Sequence, residues 1–341
     1  MKIEILCSDG SPLGVTSKTI WGDSFRVGVG GAEYALLTMC ETWTEAGHEV
    51  ILYNNPHEQN ASSFEQRAIS TFDPKANRDV LIVFRSPNPA VLTAKGLKVW
   101  WSCDQSSRGN FKEFRPMVDK VVCISEFHKN YFKTTYNIKD SIVIDLPVRV
   151  NDYLQHESWG MEKTPNSFLF SSVPARGLKE LLDIWGRIKK YNPDAILTIT
   201  SDYRLWGALP SNDHFRTMVL GKKDIQFLGA VPRNELIEIE LKSEWYVYPC
   251  TYDELFCISC SEAQLAGIYP ITSNFGALPT TNMGTVLVHD PASIEFGVGT
   301  VEELERLEGN KMNQQLSIRT LALNRFHPND IMEQWENKVF K

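Results

Sequence analysis

The chain has no apolar stretch approaching the ~18 residues that span a bilayer, and Val80–Phe84 has only the length of a buried strand. Its beginning, Met1-Lys2-Ile3-Glu4-Ile5-Leu6-Cys7, sets a glutamate inside a very short apolar run, which is not the pattern of a secretory leader. Basic residues are outnumbered: Lys+Arg 35 against Asp+Glu 42 leaves a formal net charge of −7. Global attraction to phosphate backbones is therefore missing, and a dedicated nucleic-acid binder is disfavoured. Metal signatures are missing too. No two aspartates stand two positions apart, no His-Glu-x-x-His occurs, and Cys250, Cys257 and Cys260 lack a fourth ligand at zinc spacing. The seven cysteines, an odd number, fit free thiols in a reducing cytoplasm. Common phosphate-binding loops fail as well. Ser17-Lys18-Thr19 has no glycine before its lysine, and Gly28-Val29-Gly30-Gly31-Ala32-Glu33 carries Glu33 where a dinucleotide motif needs a small residue.

What is present is an alternation of short apolar runs with amphipathic segments. Lys2–Cys7, Glu49–Tyr53, Val80–Phe84, Lys98–Trp101 and Lys120–Ile124 read as buried parallel strands, with a polar loop from Ser8 to Gly31. Ala32, Ala35, Leu36, Met39, Cys40 and Trp43 fall on one helical face. A second half repeats the pattern. Phe168–Ser171, Ile196–Thr200, Ile225–Leu228, Tyr246–Tyr248 and Tyr269–Thr272 are its strands. Leu178–Ile188, Leu236–Leu241 and Phe256–Gly267 are its helices, and Thr300 with Glu303 reads as a capping box opening a late helix. At roughly 100–200 residues per domain, the 341 residues divide into two. The spacing predicts an α/β protein of two doubly wound Rossmann-like domains facing each other across a cleft. Residues 1–150 form the first domain, 151–166 a polar linker, 167–325 the second domain, and 326–341 a C-terminal helix that can cross back to the first.

The most informative stretch is Tyr246–Gly276, YVYPCTYDELFCISCSEAQLAGIYPITSNFG. Glu254 and Glu262 are separated by seven residues, with Phe256 between them. On one continuous helix they would stand about 80° apart and not share a face; with Glu254 on the loop before the helix and Glu262 in its first turns, both can edge one ligand. A carboxylate is an acceptor suited to vicinal hydroxyls, as on a sugar. Upstream, Arg176-Gly177 precedes a helix, whose free N–H groups and partial positive charge suit a phosphate.

The stretch resembles the paired-glutamate motif of retaining glycosyltransferases of family 4 (group 1), which have the GT-B fold. Gly30-Gly31-Ala32-Glu33, Val121–Phe127 and Phe227–Pro232 are similar to further segments of that family, in the same order. The resemblance implies transfer of a sugar from a nucleoside-diphosphate sugar, with UDP the preferred base, to a hydroxyl of a glycan, lipid, metabolite or other acceptor. It implies no metal, no cofactor, the acceptor on the first domain and the donor on the second. Glu254, Arg176 and Asp104 are then the catalytic candidates. Gly30, Gly31, Arg176, Lys179, Val231, Glu254, Phe256 and Glu262 are the donor-binding ones, and Cys103, Arg85 and Arg108 line the acceptor. Two departures stand out. Relatives carry a histidine where this chain has Cys103, and a second arginine where it has Ser171-Ser172-Val173. They keep open a non-catalytic nucleotide-sugar-binding protein, beside the other alternative of a sugar-nucleotide epimerase or hydrolase on the same fold. A cytoplasmic protein is expected, and the basic Lys129, Lys133 and Lys139 leave room for peripheral membrane contact.

Overall fold

The computed structural model describes residues 1–206 and 213–341, and they divide into two units. Met1–Phe25, Val29–Val148 and Phe326–Lys341 form the first, and Arg26–Gly28 with Arg149–Arg325 the second.

The first unit is built on β1 (Lys2–Cys7), β2 (Glu49–Tyr53), β3 (Glu65–Arg67), β4 (Val80–Phe84), β5 (Leu97–Trp101), β6 (Lys120–Cys123) and β7 (Ile142–Val143). All pairings are parallel, in the order β3-β2-β1-β4-β5-β6-β7. Because successive strand side chains face opposite ways, the adjacent Trp100 and Trp101 serve two different cores. Trp100 meets Phe111 edge-on at 4.7 Å, with Phe114 and Phe132 around it. Trp101 meets Trp335 at 5.1 Å and Trp43 at 6.4 Å. Trp335, on the helix Pro328–Trp335, thus helps tie the end of the chain to this unit, together with Phe340 against Trp43 and Lys120 Nζ donating to Val339 O.

The second unit carries β8 (Ser167–Phe170), β9 (Ile196–Ile199), β10 (Ile225–Phe227), β11 (Trp245–Tyr248), β12 (Tyr269–Ser273) and β13 (Thr285–Leu287), again all parallel, in the order β10-β9-β8-β11-β12-β13. In both sheets the direction of winding reverses once, between β1 and β4 and between β8 and β11. In doubly wound sheets ligands bind outside the strand ends at such a switch point. The loops after β1, β4, β8 and β11 are therefore where chemistry is to be sought.

Three local readings are corrected by the structure. The polar segment 151–166 is no free linker. Its helix Val150–Leu154 buries Tyr153, and Thr164 N–H donates to Lys242 O at 2.8 Å. Its polar groups find partners inside the second unit, which composition does not reveal. The loop Ser8–Gly31 contains a short helical turn, Ser17–Trp21, opened by Thr16, whose N–H donates to Thr19 Oγ1 at 3.0 Å. Thr300 does not open a helix: it lies inside Ile294–Leu307, which Ser293 caps, and its hydroxyl donates to Phe296 O. Its partner Glu303 accepts from Tyr269 and Arg306 instead.

Candidate functional site

The β8 and β11 loops bring together residues distant in sequence. After β8, the chain turns through Pro174–Arg176 into the helix Leu178–Tyr191 by way of Gly177. Gly177 sits at φ 136°, and a Cβ there would lie 2.5 Å from Pro249 O, so only glycine lets the two switch-point loops touch. Arg176 Nη1 then reaches both carboxylate oxygens of Glu254 at 3.1 Å each. Its guanidinium also lies over the Tyr252 ring at 4.1 Å. Burial opposes the Arg176 charge, but Glu254 outweighs it, and the net shift holds the arginine protonated.

Glu254 is only 5% exposed, so its carboxylate needs partners. Besides Arg176 it accepts from the Tyr248 hydroxyl at 2.7 Å, and Tyr248 in turn accepts from Ser172 Oγ at 2.8 Å. Its backbone is pinned as well: Glu254 N–H donates to Tyr252 O and Ala277 N–H to Glu254 O, both at 2.7 Å. Gly276, at φ 60°, passes so close that a Cβ would stand 2.2 Å from Glu254 O.

Glu262 lies in the helix Ile258–Leu265, while Glu254 is on the loop before it. The two do not share partners. Glu262 Oε1 accepts from Arg233 Nη1 at 2.6 Å, both side chains are buried, and Arg233 also approaches Asp152 at 3.5 Å. Phe256 is buried beneath the loop, and Val231 is half-buried after β10. Lys179 is exposed and ion-paired with Asp183 one turn on. Cys257 opens the Glu262 helix at φ 78°. Among the described residues six non-glycines have positive φ, four of them asparagines that tolerate it; the other two are Cys257 and Arg85, both next to a switch-point loop.

In the first unit Arg85 follows β4 at φ 68°. Its Nε donates to Asp104 and its Nη1 to Ser11 Oγ at 2.6 Å, and Glu33 lies 3.7 Å from Nη1. Glu33, in the first turn of the helix Gly31–Glu45 that Gly30 caps, is buried and accepts from Ser11. The positive charge Arg85 would offer an anionic acceptor is thus already taken up by two carboxylates. Arg108 is exposed. Cys103 is buried, and burial pushes its thiol well up, so it stays protonated. Nearby His128 is fully buried and pushed down to about 3, chiefly by burial with a smaller opposing contribution from the Asp104 backbone. It does not restore a proton shuttle, because it is neutral throughout the physiological range.

Sequence reasoning passed over Tyr248, Tyr252, Ser172 and Arg233. A signal existed for Tyr248: a tyrosine in a buried strand needs a partner for its hydroxyl, and Glu254 stands six residues on. Among the described residues no three His, Cys, Asp or Glu side chains are grouped to hold a metal ion, and no helix is long and apolar enough to cross a membrane.

Two doubly wound units, each on a parallel sheet, are the fold of the GT-B glycosyltransferases. Residues 154–319, within the second unit, match the family model of the group 1 glycosyl transferases. Over its whole length the chain is similar to a glycosyltransferase from Rickettsia africae ESF-5, with TM-score 0.72 and 15% identity, covering 100% of this chain and 97% of that one. Sucrose-phosphate synthase from Thermosynechococcus elongatus is also similar, with TM-score 0.69, 14% identity and coverage of 100% and 99%. So is Anabaena Alr3699/HepE in complex with UDP-glucose, with TM-score 0.70, 15% identity and 99% of each chain covered. No protein of curated function matches by sequence.

Proposed function

We propose that the protein is a retaining glycosyltransferase that moves a sugar from a nucleoside-diphosphate sugar to a hydroxyl acceptor without a metal ion. The observation that carries this reading is the pairing of Arg176 with Glu254 at the β8/β11 switch point. A guanidinium beside a helix start suits a diphosphate, and a carboxylate held next to it suits sugar hydroxyls. The leaving diphosphate is stabilised by Arg176 and the N–H groups at the start of Leu178–Tyr191, which takes the place of a metal. Glu254 orients the donor sugar and Glu262 the ribose. In the first unit the same proposal gives the acceptor to the loops holding Arg85 and Asp104, with Gly30 and Gly31 supplying backbone amides. UDP is the proposed base, supported by the fold's likeness to a protein seen with UDP-glucose. Seven buried free thiols support a reducing, cytoplasmic setting.

A thermal-shift screen of UDP-, GDP- and ADP-sugars tests the reading. A ligand at about 100 times its Kd stabilises by about 2.7 kcal/mol, and UDP-sugars are expected to give the largest shift. Turnover unaffected by EDTA is expected with it; no stabilisation by any nucleotide sugar, or activity abolished by the chelator, sinks the proposal. Release of free sugar or a new sugar nucleotide without acceptor, faster than transfer to any acceptor, points to the hydrolase or epimerase instead.

A further inference from the structure

We propose that Tyr248 is the positioning residue of this site: its hydroxyl, oriented by Ser172, holds the Glu254 carboxylate in place for the donor sugar. The inference rests on the nucleotide-sugar reading above. Tyr248 ends β11, fully buried, with its ring edge-on to Phe170 at 5.8 Å and tilted against Tyr246 at 5.7 Å. Burial, then the charge of Glu254, keeps its phenol protonated. A phenol has one hydrogen to give. Ser172 donates to the Tyr248 oxygen at 2.8 Å, so the phenol's own hydrogen is directed to Glu254 Oε1 at 2.7 Å.

The need for such a relay follows from what else holds Glu254. Arg176 covers both carboxylate oxygens from the more open side, its side chain 27% exposed against 6% for Glu254. A diphosphate is the stronger claimant on a guanidinium, since it offers a bidentate, doubly charged partner. When Arg176 turns to it, the carboxylate loses that anchor at the moment it must face the sugar. Tyr248 lies on the buried side and is unaffected by the exchange, so Oε1 stays fixed and the remaining lone pairs are presented to hydroxyls. Tyr252, under the guanidinium, gives Arg176 a face to turn on.

The test uses the full chain with UDP-glucose as donor probe and UDP as its sugar-free counterpart, following binding by calorimetry and glucose release to water. Tyr248→Phe keeps the ring and is expected to lower turnover about 10-fold or more while leaving the Kd of UDP within about twofold. In a Glu254→Ala background the same change is expected to cost nothing further, because Tyr248 acts through Glu254. Ser172→Ala, which leaves the phenol but frees its hydrogen, is expected to lose about 2- to 5-fold in the same parameter, and decides the matter should Tyr248→Phe fail to fold. Wild-type turnover in Tyr248→Phe and Ser172→Ala beside a damaged Glu254→Ala overturns the relay. So does a loss that adds to that of Glu254→Ala, or a Tyr248→Phe that weakens UDP as much as it slows turnover. A wild-type protein that binds neither UDP-glucose nor UDP overturns the nucleotide-sugar reading itself, and the role of Tyr248 with it.

Discussion

Arg176 and Glu254 stand 78 positions apart in the chain and meet through one nitrogen, Nη1, placed 3.1 Å from each carboxylate oxygen. Each keeps a further partner if the other is removed, Tyr252 for the arginine and Tyr248 for the glutamate. Arg176→Ala and Glu254→Ala are therefore expected to fold, and each to lower turnover by about 10²–10³ as transition-state contacts do. Steady-state kinetics beside circular dichroism check this. Near-normal turnover in both folded variants removes these residues from the reaction.

Glu262 and Arg233 form a different kind of pair, with both side chains buried. Removing one member leaves an uncompensated charge, so Arg233→Ala is expected to cost about 3–5 kcal/mol of stability. Arg306→Ala breaks a pair whose arginine side chain is 60% exposed and is expected to cost about 1 kcal/mol or less. Urea unfolding of the two variants checks the contrast. Equal losses would show that burial is not what distinguishes them.

Stability should fall with rising pH through Glu240. Burial, then the neighbouring charge of Glu262, pushes its carboxyl up from 4.5 to about 8 in the folded protein. Between those two values the folded state keeps a proton that the unfolded chain releases. Its contribution is fully present below about 4.5 and is lost as the pH climbs towards about 8. Glu240→Gln retains an acceptor for the Tyr153 hydroxyl and has no proton to lose. Melting temperatures measured from pH 5 to 8 are expected to decline less in this variant; parallel curves would mean that Glu240 does not titrate differently on unfolding.

All seven cysteines are free and buried. Burial raises the Cys123 and Cys257 thiols to about 12 and Cys103 well above its ordinary value, so thiolate is scarce as well as covered. A disulfide reagent at pH 7.5 is expected to leave the folded protein unmodified and to titrate seven thiols after denaturation. Rapid reaction of any one in the native state would identify a thiol the fold does not protect.

The parallel strands were legible because they are short apolar runs between turn residues. Val80–Phe84 and Glu49–Tyr53 have the boundaries their composition suggests. Helix Gly31–Glu45 was legible from its apolar face, and the expected helix over Phe256–Gly267 left Glu254 before it and Glu262 inside it. Where the reading failed, local pattern competed with tertiary partners. Residues 151–166 look like linker because they are polar, yet Lys163 donates to the carbonyls of Leu241, Ser243 and Ala266. Thr300 and Glu303 have the spacing of a cap, but Ser293 already caps that helix.

By itself, the amino-acid order determined the two βαβ series, the glycines that let Arg176 and Glu254 loops run close, and the residue types able to serve a diphosphate and a sugar. Which carboxylate meets which cation was decided only by the tertiary structure. The local sequence separates a loop Glu254 from a helical Glu262, but it does not say that Arg176 goes to the first and Arg233 to the second. The physical reason is that a buried charge takes the partner that sheet order places beside it. The β8–β11 pairing brings together residues 77 positions apart, as Tyr246 and Leu169, and hydrogen bonds at that separation leave no periodic trace along the chain.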